Sequence, residues 1–372
     1  MRVAVVGCGA VGAAAAHSLA NAGHDVLALD RFGVPNGVGS SHGRSRIFRL
    51  AYHEGETYVP LLRRSLAAWR TLDETRERPG ALFRRTGSLA IGPPDSEVVT
   101  GAQETCETHG IDHEVLSAAD VGERFPAWTL ADGYRAVFQP DGGLLDPERC
   151  LTALVEAARA AGATVRGNVR VDAVRETGNG VRIESSAGSH EAARAVVAAG
   201  PWTADLVPVL DDLLTVTRHV HCRVGTPDPA RVAPDAFPVF VLDALDGRQF
   251  YGLPAHRVPG VKVGRTDTDA SVETPHPLDC PAPDESDSVE RFVDATLGGS
   301  TGVLSAGVCP ITNSPDGDYV VDRAPGGDRV VVAAGLSGHG FKTAPAVGDL
   351  AAALATETAP PVDPEPFRLD RF

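Results

Sequence analysis

Short apolar runs alternate along much of this chain with segments whose apolar residues lie three or four positions apart. The run at 3–6 predicts a buried strand, and the spacing of Ala16, Leu19 and Ala20 predicts the helix that follows. A second apolar run at 26–29 predicts the next strand. The chain therefore begins with a strand–helix–strand unit, which is typical of a parallel sheet.

The later part of the chain is mixed. Further helices are predicted at 58–72, in part of 104–121, at 147–162 and at 344–355. Strands are predicted at 81–91, 137–145, 164–174, 180–183, 193–199, 237–242, 259–265 and 329–334. Between 216 and 303 the pattern is mainly strand-like with few helices, and 280–290 is predicted to be a Pro/Asp-rich loop.

Helix–strand units therefore flank two β-rich insertions. The predicted fold class is α/β, α+β overall, with a Rossmann-like nucleotide-binding domain and a second, β-sheet-rich domain. We place the discontinuous nucleotide-binding domain at 1–80, 140–215 and 305–372. The second domain then comprises 81–139 and 216–304.

Three glycines follow the first predicted strand in the spacing G-x-G-x-x-G: Gly7, Gly9 and Gly12. The first permits a sharp turn, the second lets the backbone approach a pyrophosphate, and the third lets the helix pack closely on the sheet. Asp30 ends the second strand, where a carboxylate is expected to meet a ribose hydroxyl. Strand, glycine turn, helix and acid together predict a dinucleotide site.

Composition limits the possible partners and location. The chain has 372 residues, 43% of them hydrophobic, and a formal charge of −15, which argues against nucleic acid or an anionic membrane as partner. Its six cysteines form no metal-binding pattern, so we predict no metal site. The glycine motif begins almost at Met1 and no apolar run approaches about 18 residues, so a cytoplasmic protein is expected.

The segment after Asp30 is rich in glycine, serine and arginine, and it includes Arg44, Arg46 and Arg49. Glycines allow close backbone contact, and arginines favour an anionic ligand. A flexible surface loop with solvated charge is the alternative. The spacing of Arg46 and Arg49 predicts that they share one face of a turn or helix start.

Several motifs along the chain occur together in one known family. They are Gly7-x-Gly9-x-x-Gly12 ending at Asp30, the segment 37–49, Ala199-Gly-Pro-Trp202, Lys262, Cys309, and Gly335-x-Ser-Gly-His-Gly-x-Lys342. In these features the chain resembles the monomeric sarcosine oxidase and N-methyltryptophan oxidase family of the D-amino-acid-oxidase group. The resemblance implies FAD in the nucleotide-binding domain, a monomer, and oxidation of a secondary amine by O2 to an imine and hydrogen peroxide.

The resemblance also implies roles for individual residues. Cys309 would join the flavin through a thioether, although alone it is typical of a buried small hydrophobic residue. Arg49 and Lys342 would clamp the substrate carboxylate. Lys262 would activate oxygen, although strand alternation alone also fits an exposed lysine.

The full set of implied site residues is larger. The implied catalytic residues are Lys262, Arg46, Arg49, Lys342, Tyr251 and Thr266. The implied cofactor contacts are Gly7, Gly9, Gly12, Asp30, Ser41, His42, Arg46, Val171, Cys309, Gly338, Gly340 and Lys342. His339 lies in the same C-terminal loop and is expected to be structural.

Two positions depart from the family pattern. Thr266 stands where sarcosine oxidases have a histidine, and Arg44 replaces an acidic residue. The first change puts sarcosine in doubt, so a larger N-methyl or a cyclic amino acid becomes as good a candidate. A flavin-dependent dehydrogenase, a biosynthetic imine or ring oxidase, and a non-catalytic dinucleotide-binding module are the alternatives. A NAD-dependent enzyme is disfavoured because it gives the 31–52 segment and the 335–342 loop no function.

Overall fold

The computed structural model describes residues 1–74, 80–266, 270–273 and 275–372. Its α-helices in these ranges are α1 (Ala10–Asn21), α2 (Val59–Glu74), α3 (Glu97–His109), α4 (Ala118–Arg124), α5 (Pro147–Ala160), α6 (Thr203–Leu206), α7 (Pro283–Thr296) and α8 (Ala344–Thr356). Its strands are β1 (Arg2–Val6), β2 (Asp25–Leu29), β3 (Arg46–Phe48), β4 (Phe83–Arg85), β5 (Ser88–Gly92), β6 (Glu114–Ser117), β7 (Arg135–Gln139), β8 (Gly143–Leu145), β9 (Thr164–Arg166), β10 (Val171–Thr177), β11 (Gly180–Ser185), β12 (Gly188–Ala192), β13 (Arg194–Val197), β14 (Thr215–Val224), β15 (Val239–Asp243), β16 (Gln249–Leu253), β17 (Val261–Arg265), β18 (Ala270–Ser271), β19 (Val303–Asn313), β20 (Val320–Arg323) and β21 (Val330–Ala334).

A six-stranded sheet carries the N-terminal glycine turn. Its order is β20-β21-β13-β1-β2-β9, and all neighbours pair in parallel except β20 and β21. From β1 the chain crosses by α1 to β2 on one side, while β13 lies on the other. The carboxyl end of β1 is thus a topological switch point, where open α/β sheets bind ligands.

Small side chains allow α1 and α8 to pack closely beside this sheet. A Cβ atom added at Gly348 of α8 would lie 2.5 Å from the Cβ of Ala14 in α1. The alanines of both helices are mostly buried, so each helix covers the sheet with little side-chain volume. The close approach lets both helices serve one core.

A nine-stranded sheet forms the second large layer. Eight strands run in the order β18-β14-β17-β16-β15-β5-β7-β6, and β19 also pairs with β14. Stacked and edge-on aromatic rings fill its core, with Phe250 and Phe292 stacked at 4.1 Å and Trp128 edge-on to Phe240 at 4.8 Å. The predicted fold class, with its Rossmann-like part and second β-rich part, is confirmed.

The predicted loop at 280–290 is wrong, because α7 begins at Pro283. Proline suits the first helical position, and the Glu285 carboxylate accepts a hydrogen bond from the Ala282 backbone N–H at 2.6 Å. Val289, Phe292 and Val293 are buried against the nine-stranded sheet. The Pro/Asp density marked the first turn of a helix, where acidic residues are favourable.

The predicted domain division stays a prediction. Segments 81–139 and 216–304 both contribute strands to the nine-stranded sheet. The predicted boundary after residue 304 falls inside β19, whose pairing with β14 continues to Asn313. None of the helices in the described ranges is both long enough and apolar enough to cross a membrane.

Candidate functional site

One large cavity, of about 1210 Å³, connects the two main sheets. At one end lie the glycine turn and the carboxyl ends of β1, β13 and β21. At the other end side chains enter from β14, β16, β17 and β19. Residues far apart in the sequence therefore share one elongated space.

Backbone contacts explain the glycine spacing at the first end. Gly7 has φ +93°, and a Cβ there would lie 2.3 Å from the carbonyl oxygen of Ala198. A Cβ at Gly12 would lie 1.9 Å from the carbonyl oxygen of Gly7. Gly9 lines the cavity where α1 begins, and the Ala10 N–H donates to Ser41 Oγ at 3.1 Å. The turn thus offers a narrow backbone surface beside a helix N-terminus, which suits phosphate.

Asp30 lies beside this turn and is nearly buried. Its carboxylate accepts hydrogen bonds from the Cys8 N–H at 2.7 Å and the Phe32 N–H at 2.8 Å. Burial raises the pKa of Asp30, and the two N–H groups oppose the rise. The carboxylate therefore has a fixed orientation at the cavity wall.

The expectation that Arg46 and Arg49 share a face of a turn or helix start is wrong. Arg46 belongs to the extended strand β3 and donates to the carbonyl oxygens of Ser40 and Ser45, both at 3.0 Å. Arg49 follows the strand and donates to the carbonyl oxygen of Ala51 at 3.1 Å. Residues three apart on an extended chain point in different directions, so the two arginines reach different parts of the cavity.

Arg49 and Lys342 form a buried cationic pair around Tyr52. The Arg49 guanidinium carbon lies 4.5 Å, and Lys342 Nζ 4.8 Å, from the centre of the Tyr52 ring. Arg49 also makes an ion pair with Glu54. Burial alone would raise the pKa of Glu54, but Arg49, His53 and Lys342 hold it well below its ordinary value.

The pKa of Lys342 lies close to neutral pH. Burial, together with the charge of Arg49, lowers the pKa of Lys342 from 10.5 to about 7, while Glu54 opposes the change. Lys342 therefore changes charge near neutral pH, whereas a guanidinium such as that of Arg49 stays charged.

A directed hydrogen-bond chain holds Lys342 in place. Lys342 Nζ donates to the Tyr52 hydroxyl at 3.0 Å and to the His339 carbonyl oxygen at 2.7 Å. His339 Nε2 lies 3.0 Å from the carbonyl oxygen of Gly317 and therefore donates to it. Its Nδ1 then accepts from the Tyr52 hydroxyl at 2.6 Å. Burial lowers the pKa of His339 to about 4, which favours this neutral tautomer.

Lys262 is buried in β17 at the other side of the cavity. The neighbouring Val261 and Val263 pack in the core, so strand alternation directs the lysine to the opposite face. Lys262 Nζ donates to the carbonyl oxygens of Gly43 and Ser45, both at 3.3 Å. Burial first, and then the charge of Arg46, lowers the pKa of Lys262 well below 10.5.

Cys309 lines the cavity from β19 and is buried. It lies opposite His219 of β14 in the antiparallel register. The hydroxyl of Tyr251 in β16 lies 2.8 Å from His219 Nε2, and the two rings stack at 5.5 Å. Thiol, imidazole and phenol therefore line one wall.

Thr266 lies at a more exposed part of the wall. Its hydroxyl donates to Gln249 Oε1 at 2.6 Å, and Gln249 Nε2 donates to Asp243 Oδ1 at 2.9 Å. Thr266 and Gln249 both line the cavity. This part of the wall is thus a threonine whose hydroxyl is held by the amide oxygen of Gln249.

The structure brings most predicted site residues to this cavity. The lining includes Gly7, Gly9, Asp30, Ser41, Arg46, Arg49, Val171, Tyr251, Lys262, Thr266, Cys309, Gly338, Gly340 and Lys342. The predicted cofactor contacts Gly12 and His42 are not among the lining residues. In the described part of the chain, no group of three His, Cys, Asp or Glu residues could hold a metal ion.

Sequence reasoning missed Tyr52, Glu54, His219 and Gln249. None lies in a recognisable motif, and their importance depends on side chains brought in by other strands.

The amino-acid composition by itself singles out the two lysines of the site. The chain contains 34 lysine and arginine residues, yet its only lysines are Lys262 and Lys342. Both are buried in this cavity. Because arginine serves at every other basic position, the two exceptions mark sites where a compact cation that can lose its proton is favoured.

Comparison with known sequences covers nearly the whole chain. Residues 2–354 match the family described as FAD dependent oxidoreductase. N-methyl-L-tryptophan oxidase of Salmonella agona is 36% identical over 370 residues, which span 99% of this chain and 98% of that protein. The enzyme of the same name from Salmonella typhimurium is 35% identical over the same length.

Solved structures show the same architecture. NikD, described as an unusual amino acid oxidase essential for nikkomycin biosynthesis, superposes with a TM-score of 0.83 at 27% identity, over 98% of this chain and 96% of its own. L-proline dehydrogenase from P. horikoshii superposes with a TM-score of 0.84 at 22% identity, over 100% and 98%. The second likeness concerns the fold alone. Both large sheets and the cavity between them fall inside the matched regions.

Proposed function

The chain belongs to the FAD-dependent oxidoreductase family, and from this premise we propose that it oxidises a secondary amino acid, N-methylated or cyclic, with O2 as electron acceptor. The relatives named N-methyl-L-tryptophan oxidase support an N-methyl substrate. The buried Arg49–Lys342 pair, in a cavity that also contains Lys262, is the observation that carries the proposal.

The residues present fit FAD. The cavity of about 1210 Å³ is larger than the ~300–1,000 Å³ usual for drug-sized ligands and suits a long dinucleotide. The glycine turn has no room for side chains at Gly7 and Gly12, as backbone contact with a pyrophosphate requires. We assign the adenosine end to Asp30 and the glycine turn, and the flavin end to Arg46, Lys262 and Cys309.

FAD, when bound, supplies the two-electron chemistry between amine and oxygen. In the net reaction a C–H and an adjacent N–H of the substrate become a C=N bond, and O2 becomes H2O2. Two electrons and two protons therefore leave the substrate and reach oxygen. The protein must orient the amine, exclude water and stabilise charge where oxygen is reduced.

Arg49 and protonated Lys342 bind the substrate carboxylate in this proposal. Both are buried, so their attraction for an anion is stronger than at a hydrated surface. Glu54 and Tyr52 restrain the two cations before substrate arrives. Binding the carboxylate in one place also holds the reacting C–H in one place, and this positioning raises the reaction rate.

Lys262 and Arg46 act where oxygen is reduced. The buried Lys262 and the partly buried Arg46 stabilise negative charge that develops on oxygen, and backbone carbonyl groups hold both side chains in place. Cys309 is the proposed point of covalent flavin attachment, since it is a buried thiol on the cavity wall. Tyr251 lines the substrate space beside His219.

The wall formed by Thr266 and Gln249 determines substrate size in this proposal. A threonine leaves more room than a histidine, and the amide of Gln249 can still hydrogen-bond to a polar substituent. A substrate larger than sarcosine follows.

We also propose that the protein is a cytoplasmic monomer. Thiols are common in reducing compartments, and the described part of the structure contains no disulfide bond. Cell fractionation and light scattering after gel filtration test location and assembly separately.

A peroxide-coupled screen of N-methyl and cyclic amino acids tests the function. We expect peroxide formation with at least one N-methyl amino acid larger than sarcosine, or with a proline- or pipecolate-like ring. Reduction of the flavin without peroxide, with electrons passing to an artificial dye, would instead support a dehydrogenase. A purified protein without flavin absorbance, even after incubation with FAD, would contradict the proposal altogether.

A further inference from the structure

Cations accumulate around Lys262 in a way that ordinary sheet packing disfavours. Arg223 of β14 is the register partner of Lys262 in β17, so the two buried side chains project from directly opposite positions. Like charges opposite each other destabilise a sheet. Arg46 adds a third cation, because its charge also lowers the pKa of Lys262. Such a cluster requires a compensating negative charge.

Glu148, in the first turn of α5, supplies a negative charge, and it contacts the backbone of the glycine-rich segment. Its Oε1 accepts hydrogen bonds from the N–H groups of Gly43 and Arg44, both at 3.2 Å. The carbonyl oxygens of Gly43 and Ser45 are the acceptors of Lys262 Nζ. One short turn is therefore held through its N–H groups by Glu148 and through its carbonyl groups by Lys262.

The second oxygen of Glu148 is buried and makes no hydrogen bond to the described residues. The negative charge on this oxygen is therefore not offset by a hydrogen bond to the described residues, and it acts through a medium of low dielectric constant. A carboxylate near a helix N-terminus is also favoured by the helix dipole.

The groups that act on Lys262 come from four elements. Arg46 on β3 and Arg223 on β14 lower its pKa, and Cys309 on β19 and Glu148 on α5 raise it. The neighbouring histidines do not add stable positive charge. Burial lowers the pKa of His42 to about 4 and that of His221 further still.

We propose that Glu148 is the positioning residue of Lys262: it fixes the 43–45 turn that receives the ammonium, and its charge favours the protonated lysine against Arg46 and Arg223. The inference rests on the proposed function, in which Lys262 serves the reduction of oxygen. Glu148 does not line the cavity, so it acts through Lys262 and through the turn.

The two-lysine composition makes a direct measurement possible. Holoenzyme labelled with ¹³C and ¹⁵N in lysine gives only two side-chain signals, and Lys262→Met and Lys342→Met assign them. We expect Glu148→Gln to lower the titration midpoint of Lys262, because the substitution removes a negative charge that favours the ammonium. The Lys342 midpoint should stay unchanged. Glu156→Gln, which removes an exposed carboxylate of the same helix, is the matched control.

A second variant separates charge from geometry. Glutamine keeps an oxygen that can accept from the Gly43 and Arg44 N–H groups, so Glu148→Gln should leave their hydrogen exchange unchanged. Glu148→Asp keeps the charge but is shorter by one methylene. We expect faster exchange at the turn in Glu148→Asp and a Lys262 midpoint closer to that of the wild type.

Rapid mixing of reduced holoenzyme with O2 gives the functional readout. At a pH above the wild-type Lys262 midpoint, Glu148→Gln should be reoxidised about tenfold more slowly for each pH unit by which that midpoint falls, while anaerobic flavin reduction by amine changes less than about twofold. A Glu148→Gln variant with an unchanged Lys262 midpoint would overturn the inference. If Lys262→Met is reoxidised as fast as the wild type, the oxygen role itself fails, and the titration of Lys262 still tests Glu148 independently.

Discussion

Cys309 lines the cavity from β19, opposite His219 in the antiparallel register. We expect the wild-type flavin to stay with the acid-precipitated chain and the flavin of Cys309→Ser to be released into solution. Absorbance of pellet and supernatant measures both. The exposed Cys280 is a matched control, because Cys280→Ser should retain the flavin. Free flavin in the wild-type supernatant would contradict covalent attachment.

Tyr52 is the central residue of the clamp, although no motif marks it. Tyr52→Phe removes the hydroxyl between Lys342 and His339 and leaves the buried His339 Nδ1 without its donor. We expect a loss of about 1–3 kcal/mol in the free energy of unfolding. Carboxylate affinity should fall as well, because Lys342 loses one of its two acceptors. Chemical denaturation and flavin-monitored binding measure the two effects, and unchanged affinity would exclude a positioning role.

The pKa of Lys342 predicts that carboxylate binding depends on pH. Its pKa is about 7 in the folded protein, so the ammonium is present below this pH and is lost above it. Binding of a carboxylate without an amine, such as cyclopentanecarboxylate, should therefore weaken as pH rises through the free-enzyme pKa of about 7, by up to about tenfold per pH unit.

Lys342→Arg provides the control for this dependence. An arginine stays charged across the range, so the variant should show a flat profile even if its affinity is lower. An equally steep profile in Lys342→Arg would assign the dependence to another group.

At the level of elements, the glycine turn requires Gly12 of α1 to pack directly against the backbone of Gly7, which follows β1. Gly12→Ala would place a Cβ 1.9 Å from the Gly7 carbonyl oxygen, so α1 must move away from β1. We expect a loss of about 3 kcal/mol in stability and weak FAD retention. Gly178→Ala is the control, since a Cβ at Gly178 meets no atom within 4 Å. Equal stability and equal flavin content in the two variants would contradict the packing argument.

The segment between β2 and β3 connects the two ends of the site. Ser41 receives the Ala10 N–H at the start of α1, and the Ser40 hydroxyl donates to the carbonyl oxygen of Pro310 at 2.6 Å. Pro310 follows Cys309 on β19. A stretch whose composition also fits a solvated loop thus joins the glycine turn to the strand that carries the thiol.

At the scale of the whole molecule, one ligand would contact both large sheets. If Cys309 is the attachment point, the flavin of Cys309→Ser binds reversibly, so added FAD should stabilise the fold by about 2.7 kcal/mol at a hundredfold excess over Kd. Its Tm should rise with FAD concentration, whereas the wild-type Tm should not. Differential scanning calorimetry measures both. A wild-type Tm that rises equally would indicate reversible binding.

Much of the architecture followed from local pattern. Apolar runs, helical spacing and turn residues have local causes, so they identified the strand–glycine–helix unit, the helix α5 that begins at residue 147, and α8. The loop expected at 280–290 failed because its proline and acids serve equally well in a first helical turn. Whether this segment is a loop or a helix is decided by the hydrophobic core against which α7 packs.

The sequence by itself determined the dinucleotide turn, the fold class and, through family resemblance, the positions of Lys262, Cys309 and Lys342. Only the tertiary structure decided how those residues are controlled. The Tyr52–His339 chain and the pairing of Glu148 with the 43–45 turn join segments more than 100 residues apart. Charge balance in a buried site depends on distance and burial in space, and neither quantity is encoded in a local stretch of sequence.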